Sequence, residues 1–261
     1  MKVVILAGGY GTRISEESQF RPKPMVEIGG RPILWHIMKE YLHYGFDEFI
    51  ICAGYKQEYI KNYFAHYFLQ ASDMTFDFRV ENEREHRVIH TSSFEPWKVT
   101  VVDTGLDTMT GGRIKRIQPY VGDEPFMLTY GDGVCDVPLD KLLAFHQKHG
   151  KMVTLTAVQP EGRFGILDLQ GDQISSFREK SKQDVGYING GYMVCEPQLF
   201  DYLVDDTTTL EREPLERIAC EGQLMAYRHN GFWQCMDTMR DRQKLDRLLA
   251  AGQAPWKVWD D

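Results

Sequence analysis

Near its N-terminus the chain reads Val3-Val4-Ile5-Leu6-Ala7-Gly8-Gly9-Tyr10-Gly11-Thr12-Arg13. The first five of these residues form a continuous apolar run, which is typical of a β-strand buried on both faces of a sheet. Glycines after such a strand let backbone N–H groups approach a phosphate or a base closely. The stretch therefore predicts a buried strand followed by a loop that can hold an anionic ligand. A tight turn between a strand and a helix, without a ligand, is the alternative.

This loop differs from two familiar phosphate-binding loops. A dinucleotide-binding loop needs a third glycine where this chain has Ile14, and a P-loop ends in Gly-Lys-Ser/Thr, which does not follow here. An NAD-dependent dehydrogenase is therefore disfavoured.

Strand-like and helix-like patterns alternate along the first half of the chain. Residues 49–53 and 126–129 are further apolar runs, and helical spacing of apolar residues lies between the strand-like runs. This alternation predicts right-handed crossovers and a mostly parallel α/β sheet with helices on both faces. Ligands bind beyond the carboxyl ends of such strands, where residues 8–13 and Asp132 lie.

The second half contains four strand-like stretches (residues 153–158, 174–178, 187–194 and 224–228) and three helical ones (residues 197–203, 210–221 and 240–250). No linker, repeat or low-complexity segment separates the halves. A chain of 261 residues fits one large α/β domain. We expect a single domain over residues 1–261, with a nucleotide-binding half at about 1–150 and a sugar-phosphate half with the C-terminal tail at about 151–261.

The charge balance and the cysteines exclude several classes of protein. The net charge is −8, which disfavours nucleic acid as a partner because phosphate backbones require a basic surface. No apolar run approaches the ~20 residues that span a bilayer, and the N-terminal run is too short for a signal peptide, so we expect a cytoplasmic protein without membrane contact. The five cysteines form no CxxC pair, which disfavours a zinc site or a disulfide framework.

Pro22-Lys23-Pro24 follows the glycine loop closely. The two prolines hold the backbone extended and restrict the direction of the Lys23 side chain. Arg13 and Lys23 can then converge on one anion, with Arg21 nearby.

Together the glycine loop and Pro22-Lys23-Pro24 resemble the signature of the sugar-phosphate nucleotidylyltransferases, and the resemblance extends over nearly the whole chain. It is strongest to the glucose-1-phosphate cytidylyltransferase branch. Further stretches that carry it are Thr110-Gly111-Gly112-Arg113, Tyr130-Gly131-Asp132-Gly133, Gly162-Arg163-Phe164-Gly165, Asn189-Gly190-Gly191 and Gly231-Phe232-Trp233-Gln234-Cys235-Met236-Asp237-Thr238.

The resemblance implies a Rossmann-like nucleotidyltransferase fold and transfer of a nucleotidyl group from CTP to glucose 1-phosphate, with release of pyrophosphate. It also implies a homo-oligomer and Mg²⁺ as the cofactor. Mg²⁺ takes oxygen ligands, of which one or two are protein carboxylates. Asp132 and Asp237 match the metal-binding aspartates of the family. Taken without the resemblance, each is equally a turn aspartate that hydrogen-bonds its own backbone.

The resemblance also assigns roles to the remaining site residues. Arg13 and Lys23 match the catalytic, phosphate-binding cations. Glu179 and Lys180 match a pair that binds the sugar phosphate, although Ser181 stands where the family often has proline. Asn189 and Gly190 match the sugar site. The nucleotide-binding positions are Leu6, Ala7, Gly8, Gly9, Gly11, Thr12, Arg13, Lys23, Arg113 and Asp132.

Two questions stay open at the level of sequence. Arg113 is expected near the nucleotide, and the alternative is an arginine in a hairpin without a ligand. The same reaction with dTTP or UTP is an alternative to CTP, and a nucleotide-sugar-binding regulatory protein without turnover is a third reading.

Overall fold

The apolar run at the N-terminus forms strand β1 (Lys2–Ala7), near the middle of a seven-stranded sheet. The computed structural model describes residues 1–79, 87–92, 94–160, 166–170, 173–178 and 186–260. From one edge to the other the sheet consists of β14 (Leu224–His229), β10 (Val153–Val158), β13 (Ile188–Cys195), β8 (Phe126–Tyr130), β1, β4 (Glu48–Ala53) and β7 (Lys98–Asp103).

The predicted mostly parallel sheet is confirmed. β1 pairs in parallel with β4 and β8, β4 pairs in parallel with β7, and β10 pairs in parallel with β14. Only β13 runs in the opposite direction, antiparallel to both β8 and β10. The strands of the second half therefore extend the sheet of the first half.

Four two-stranded ribbons accompany the central sheet in the part of the chain that the structure describes. They are β2 (Glu27–Ile28) with β3 (Arg31–Pro32), β5 (Ser72–Phe76) with β6 (Arg87–Ser92), β9 (Gly133–Cys135) with β15 (Trp233–Cys235), and β11 (Ile166–Gln170) with β12 (Gln173–Arg178).

Helices connect most of the strands. They are α1 (Ser15–Ser18), α2 (Ile33–His43), α3 (Gln57–Ala65), α4 (Tyr67–Gln70), α5 (Thr110–Arg116), α6 (Gln118–Val121), α7 (Leu139–His149), α8 (Glu213–Cys220) and α9 (Met239–Ala250), with 3-10 helices at Thr12–Ile14, Lys23–Met25 and Pro197–Tyr202. Among the described residues no helix is both long and apolar enough to cross a membrane.

Two predicted helices have different bounds in the structure. The helical spacing of apolar residues between the first strands continues over residues 57–67, but the structure divides this stretch at His66, where φ of −111° departs from helical geometry. The helix predicted over 210–221 begins at Glu213, and Pro214 lies in its first turn, where a residue without an N–H loses no hydrogen bond.

Alternate residues of β1 enter two separate hydrophobic cores. Val3, Ile5 and Ala7 belong to one core, together with apolar residues of α2, α7 and α9. Val4 and Leu6 belong to the other, together with residues of α5, α6 and α8. This alternation is the two-residue period of a strand that is covered on both faces.

The first core contains a fully buried carboxyl group, Glu40 of α2. Burial raises the pKa of Glu40 well above 4.5, and the negative charge of nearby Asp136 raises it further. The hydrogen bond from Tyr192 lowers the pKa but does not outweigh burial. The folded protein therefore keeps a proton that the unfolded chain releases above about pH 4.5. Stability falls as the pH rises from there toward the folded pKa, by about 1.4 kcal/mol per pH unit.

Replacing Glu40 with glutamine removes this titration because an amide is neutral at every pH. We expect the melting temperature of Glu40→Gln, relative to that of the unmodified protein, to rise as the pH increases above about 4.5. Calorimetry at several pH values measures the difference. Glu216→Gln, at an exposed position of α8, is the control. A difference for Glu40→Gln that does not change with pH would contradict the assignment.

Candidate functional site

The carboxyl ends of β1, β8 and neighbouring strands open into a cleft of about 670 Å³, a volume typical of small-ligand sites. Most residues predicted to bind nucleotide or metal line this cleft. These are Leu6, Ala7, Gly8, Gly9, Gly11, Thr12, Lys23, Arg113, Asp132 and Asp237. Their location agrees with the prediction, and their binding roles stay predictions.

Lys23 connects the two aspartates predicted to bind metal. Its Nζ lies 2.6 Å from Asp132 Oδ2 and 2.6 Å from Asp237 Oδ1. The Lys23 side chain is only 11% exposed. Burial lowers its pKa, but the two carboxylates outweigh burial, and the net pKa is raised above 10.5. Lys23 is therefore an ammonium ion held between two carboxylates.

The ribbon of β9 and β15 brings these aspartates together. Asp132 directly precedes β9, and Asp237 follows β15 after one residue. The strands are antiparallel, with Gly133 opposite Cys235, so the start of one lies beside the end of the other. Met236 N donates to Asp132 O at 2.8 Å and continues this pairing to the aspartates.

The opposite end of the ribbon is closed by Asp136. Its Oδ1 accepts hydrogen bonds from Phe232 N (2.7 Å) and His229 Nε2 (2.7 Å). Cys135, Asp136 and His229 are close enough to share a metal ion, a grouping that the sequence did not suggest. The Asp136 carboxylate already holds the two strands together, which accounts for its position without a metal.

The glycine loop departs from the strand as predicted. Gly11 has φ of +65°, a left-handed conformation that glycine adopts without steric strain. Gly8 O accepts a hydrogen bond from Tyr55 N (3.1 Å), which ties the loop to the end of β4. The backbone of Arg13 lies in the 3-10 helix Thr12–Ile14 beside the cleft, and its side chain lies outside the described part of the structure.

Arg113 lies on helix α5, so the alternative of a hairpin arginine is wrong. Its guanidinium donates to Gly105 O (2.6 Å), Leu106 O (3.0 Å) and Thr104 Oγ1 (2.9 Å). These partners are neutral oxygens, and Arg113 is only 5% exposed. Buried charges are usually paired with an opposite charge, so this arrangement favours an anionic ligand in the cleft.

Glycines make room for Arg113 and its helix. A Cβ added at Gly8 would lie 2.2 Å from Arg113 Nη1, and one added at Gly54 would lie 2.4 Å from the same atom. A Cβ at Gly112 would lie 2.6 Å from the Cα of Asp206. Thr110-Gly111-Gly112-Arg113 is therefore a helix start that packs closely against a neighbouring loop.

The residues predicted to bind the sugar lie next to the cleft. Asn189 Nδ2 donates to Tyr130 Oη (3.3 Å), and Tyr130 lines the cleft. Gly190 O accepts from Trp233 Nε1 (2.8 Å) and thereby contacts the ribbon. Glu179 and Lys180 lie outside the described residues.

Sequence reasoning missed most of one wall of the cleft, residues 106–109, which leads into the quoted Thr110-Gly111-Gly112-Arg113 stretch. Tyr10 Oη donates to Asp107 Oδ1 (2.5 Å) and joins this segment to the glycine loop. Nothing in its composition separates it from an ordinary loop. Tyr130 was also missed as a site residue, although it belongs to the quoted Tyr130-Gly131-Asp132-Gly133 stretch.

Known proteins resemble this chain over nearly its whole length. The model of the family described as "Nucleotidyl transferase" matches residues 2–241. The chain is 56% identical over 261 residues to a glucose-1-phosphate cytidylyltransferase of Salmonella typhi, with all of both chains covered. It is 44% identical over 260 residues to a probable glucose-1-phosphate cytidylyltransferase of Bacillus subtilis (strain 168), with 99% of this chain and 100% of the relative covered.

Solved structures support the same fold. The crystal structure of HddC from Yersinia pseudotuberculosis matches with a TM-score of 0.67 at 26% identity, covering 95% of this chain and 99% of that one. A UDP-glucose pyrophosphorylase complexed with UDP-glucose matches with a TM-score of 0.66 at 16% identity, covering 96% and 98% of the two chains. This second likeness concerns the fold alone.

The family match covers nearly the whole chain, and the relatives align from end to end, so the resemblance predicted from the sequence is confirmed. The chain belongs to the nucleotidyl transferase family.

Proposed function

We propose that the protein transfers a cytidylyl group from CTP to α-D-glucose 1-phosphate and releases CDP-glucose and pyrophosphate. The full-length relatives named glucose-1-phosphate cytidylyltransferase support the reaction and the choice of CTP. The observation that carries the chemistry is the contact of Lys23 with both Asp132 and Asp237 at the glycine loop. One cation and two carboxylates meet where a triphosphate can reach the loop backbone.

The reaction needs charge neutralisation more than a base. An oxygen of the sugar phosphate attacks the α-phosphorus in line, and the bond to pyrophosphate breaks. A phosphate monoester with a second pKa of about 6 is already mostly ionised at neutral pH. Both reactants are anions, so the barrier lies in bringing them together and in stabilising the charge that builds up.

Lys23 and Arg113 are the described cations that line the cleft. We assign Lys23 to the α-phosphate and the incoming sugar phosphate, and Arg113 to the nucleotide. Arg13, at the end of the glycine loop, is assigned to the leaving pyrophosphate. Backbone N–H groups of the glycine loop provide further neutral donors.

The residues present fit a Mg²⁺ ion. The carboxylates of Asp132 and Asp237 both point at one cation position, which the Lys23 ammonium occupies in this structure. Their side chains are 32% and 18% exposed, so water molecules could supply the remaining ligands of a Mg²⁺ ion. When bound, Mg²⁺ supplies positive charge at the phosphates. With the two carboxylates holding Mg²⁺, the Lys23 ammonium would be available to the α-phosphate.

The sugar phosphate is assigned to the far side of Tyr130. Asn189 there offers an amide next to Gly190 and Gly191, and Gly191 N donates to Asn189 Oδ1 (2.9 Å), which orients the amide. Glu179 and Lys180 are proposed to bind a sugar hydroxyl and the sugar phosphate, because they match the family pair.

Pyrophosphate release tests the function directly. The protein is mixed with Mg²⁺ and glucose 1-phosphate, and CTP, dTTP, UTP, GTP and ATP are added in separate reactions. Release with CTP alone is the expected result. Release with dTTP or UTP instead would keep the chemistry and overturn the base. No release with any nucleotide, together with CTP binding, would favour a binding protein without turnover.

Arg113→Ala tests the nucleotide side of the cleft. We expect the KM for CTP to rise about 10- to 100-fold, because the substitution removes a charge-assisted hydrogen bond to the nucleotide. The KM for glucose 1-phosphate should change less. Arg116→Ala is the matched control, since Arg116 lies one turn further on α5 and pairs at the surface with Asp206 (Nε to Oδ1, 2.8 Å). An unchanged KM for CTP and unchanged preference for CTP would exclude this role for Arg113.

Homo-oligomerisation also stays a proposal. Exposed apolar side chains on the β5–β6 ribbon, and Phe78 two residues after β5, support this proposal. Phe76, Phe78, Val88 and Ile89 are between 47% and 85% exposed. Sedimentation equilibrium measures the assembled mass, and a monomer at micromolar concentration would contradict the proposal.

A further inference from the structure

A buried tyrosine lies beneath the turn that carries Asp132. Tyr192 of β13 is 1% exposed, and its Oη lies 3.2 Å from the carbonyl oxygen of Gly133, the residue after Asp132. The same Oη lies 2.8 Å from Glu40 Oε2. Three elements distant in sequence, α2, β13 and the start of β9, therefore meet at one hydroxyl group.

The Tyr192 hydroxyl contacts two hydrogen-bond acceptors. A tyrosine hydroxyl has one proton, which cannot serve Glu40 and Gly133 fully at the same time. Glu40 is completely buried, and burial raises the pKa of its carboxyl group. The Tyr192 hydroxyl is the donor in both contacts, so Glu40 Oε2 and the Gly133 carbonyl oxygen together fix its position.

We propose that Tyr192, supported by Glu40, is a positioning residue for Asp132. It holds the Gly133 carbonyl from inside the core and so sets the direction in which the Asp132 side chain leaves the turn. The inference rests on the proposed function, in which Asp132 binds the metal. Tyr192 touches no substrate, so it acts only through the backbone of the turn.

The surroundings of Tyr192 make it suited to this role. Its ring stacks on Tyr41 with centroids 5.9 Å apart and an angle of 8° between the planes. Tyr41 is itself fully buried in the same core. A ring packed in this way has little freedom to rotate, so its hydroxyl offers a stationary donor to the turn.

Tyr192→Phe removes the donor and keeps the ring. We expect the Mg²⁺ concentration for half-maximal rate to rise about tenfold, the lower end of the effect of groups that orient metal ligands. Binding of Mn²⁺ to the protein without substrates, followed by electron paramagnetic resonance, should weaken by a similar factor. Glu40→Gln keeps an acceptor oxygen for the Tyr192 hydroxyl and is expected to retain the metal dependence, whereas Glu40→Leu should resemble Tyr192→Phe.

Tyr41→Phe is the matched control. This substitution removes a buried hydroxyl from the same stack and leaves the hydrogen bond from Tyr192 to Gly133 in place. A merely structural role would make Tyr41→Phe and Tyr192→Phe alike, with lower melting temperatures and unchanged metal affinity, and this result would overturn the inference. Asp132→Asn separates the two proposals. If Asp132→Asn weakens Mn²⁺ binding and Tyr192→Phe does not, only the positioning role is wrong. If Asp132→Asn also leaves Mn²⁺ binding unchanged, the metal site and the inference fall together.

Discussion

Replacing Asp132 with asparagine is expected to lower kcat with CTP and glucose 1-phosphate by about a thousandfold. The amide keeps the size of the side chain but removes the charge that a Mg²⁺ ligand requires. A metal ion at a transferring phosphoryl group contributes several kcal/mol to the transition state, and about 4 kcal/mol corresponds to a thousandfold in rate. Single-turnover kinetics at saturating substrates measures the effect on the chemical step.

The fold should survive this substitution. Asp132 lies in a turn, its side chain is 32% exposed, and Lys23 keeps its second contact with Asp237. Asp123→Asn is the matched control, because Asp123 is exposed and lies just before the opposite end of the same strand, β8. A kcat for Asp132→Asn within threefold of the control, at an equal melting temperature, would remove Asp132 from the metal site.

Replacing Lys23 with methionine is expected to lower kcat by about 10²- to 10³-fold, the effect of removing one preorganised donor from a developing negative charge. A second consequence follows from the structure. Without the ammonium, Asp132 and Asp237 lose the cation that contacts both of them in this structure. Breaking a buried ion pair costs about 3–5 kcal/mol, and we expect about 2 kcal/mol here because the carboxylates are partly exposed.

This loss of stability should depend on the metal. In EDTA the melting temperature of Lys23→Met should fall by about 4–8 °C, and Mg²⁺ should restore much of the difference by neutralising the two carboxylates. The rate should not recover, because Mg²⁺ does not replace the cation at the α-phosphate. Lys98→Met is the control, since Lys98 forms an exposed ion pair with Glu48 (2.8 Å) outside the cleft. A Lys23→Met protein whose melting temperature is the same in EDTA and in Mg²⁺ would contradict the shared cation position.

The glycine loop could be predicted from the sequence, whereas the wall of the cleft after β7 could not. The glycine loop was predictable because its signal is local: an apolar strand, then glycines, then a lysine between two prolines. The wall at residues 106–109 was not, because its part in the site comes from contacts such as Tyr10 with Asp107, 97 residues apart in sequence. Arg113 was placed near the nucleotide through the family resemblance, but neither its helix nor its neutral oxygen partners could be inferred.

The sequence by itself determined the fold class, the glycine loop and the identity of the charged residues, because hydrophobic period, glycine position and side-chain chemistry are properties of short segments. Only the tertiary structure decided which charges meet. The sequence suggested that Lys23 and Arg13 converge on one anion, whereas the structure places the Lys23 ammonium against Asp132 and Asp237, 109 and 214 residues further along the chain. The physical reason is the antiparallel ribbon of β9 and β15, which sets two distant segments side by side and cannot be inferred from either segment alone.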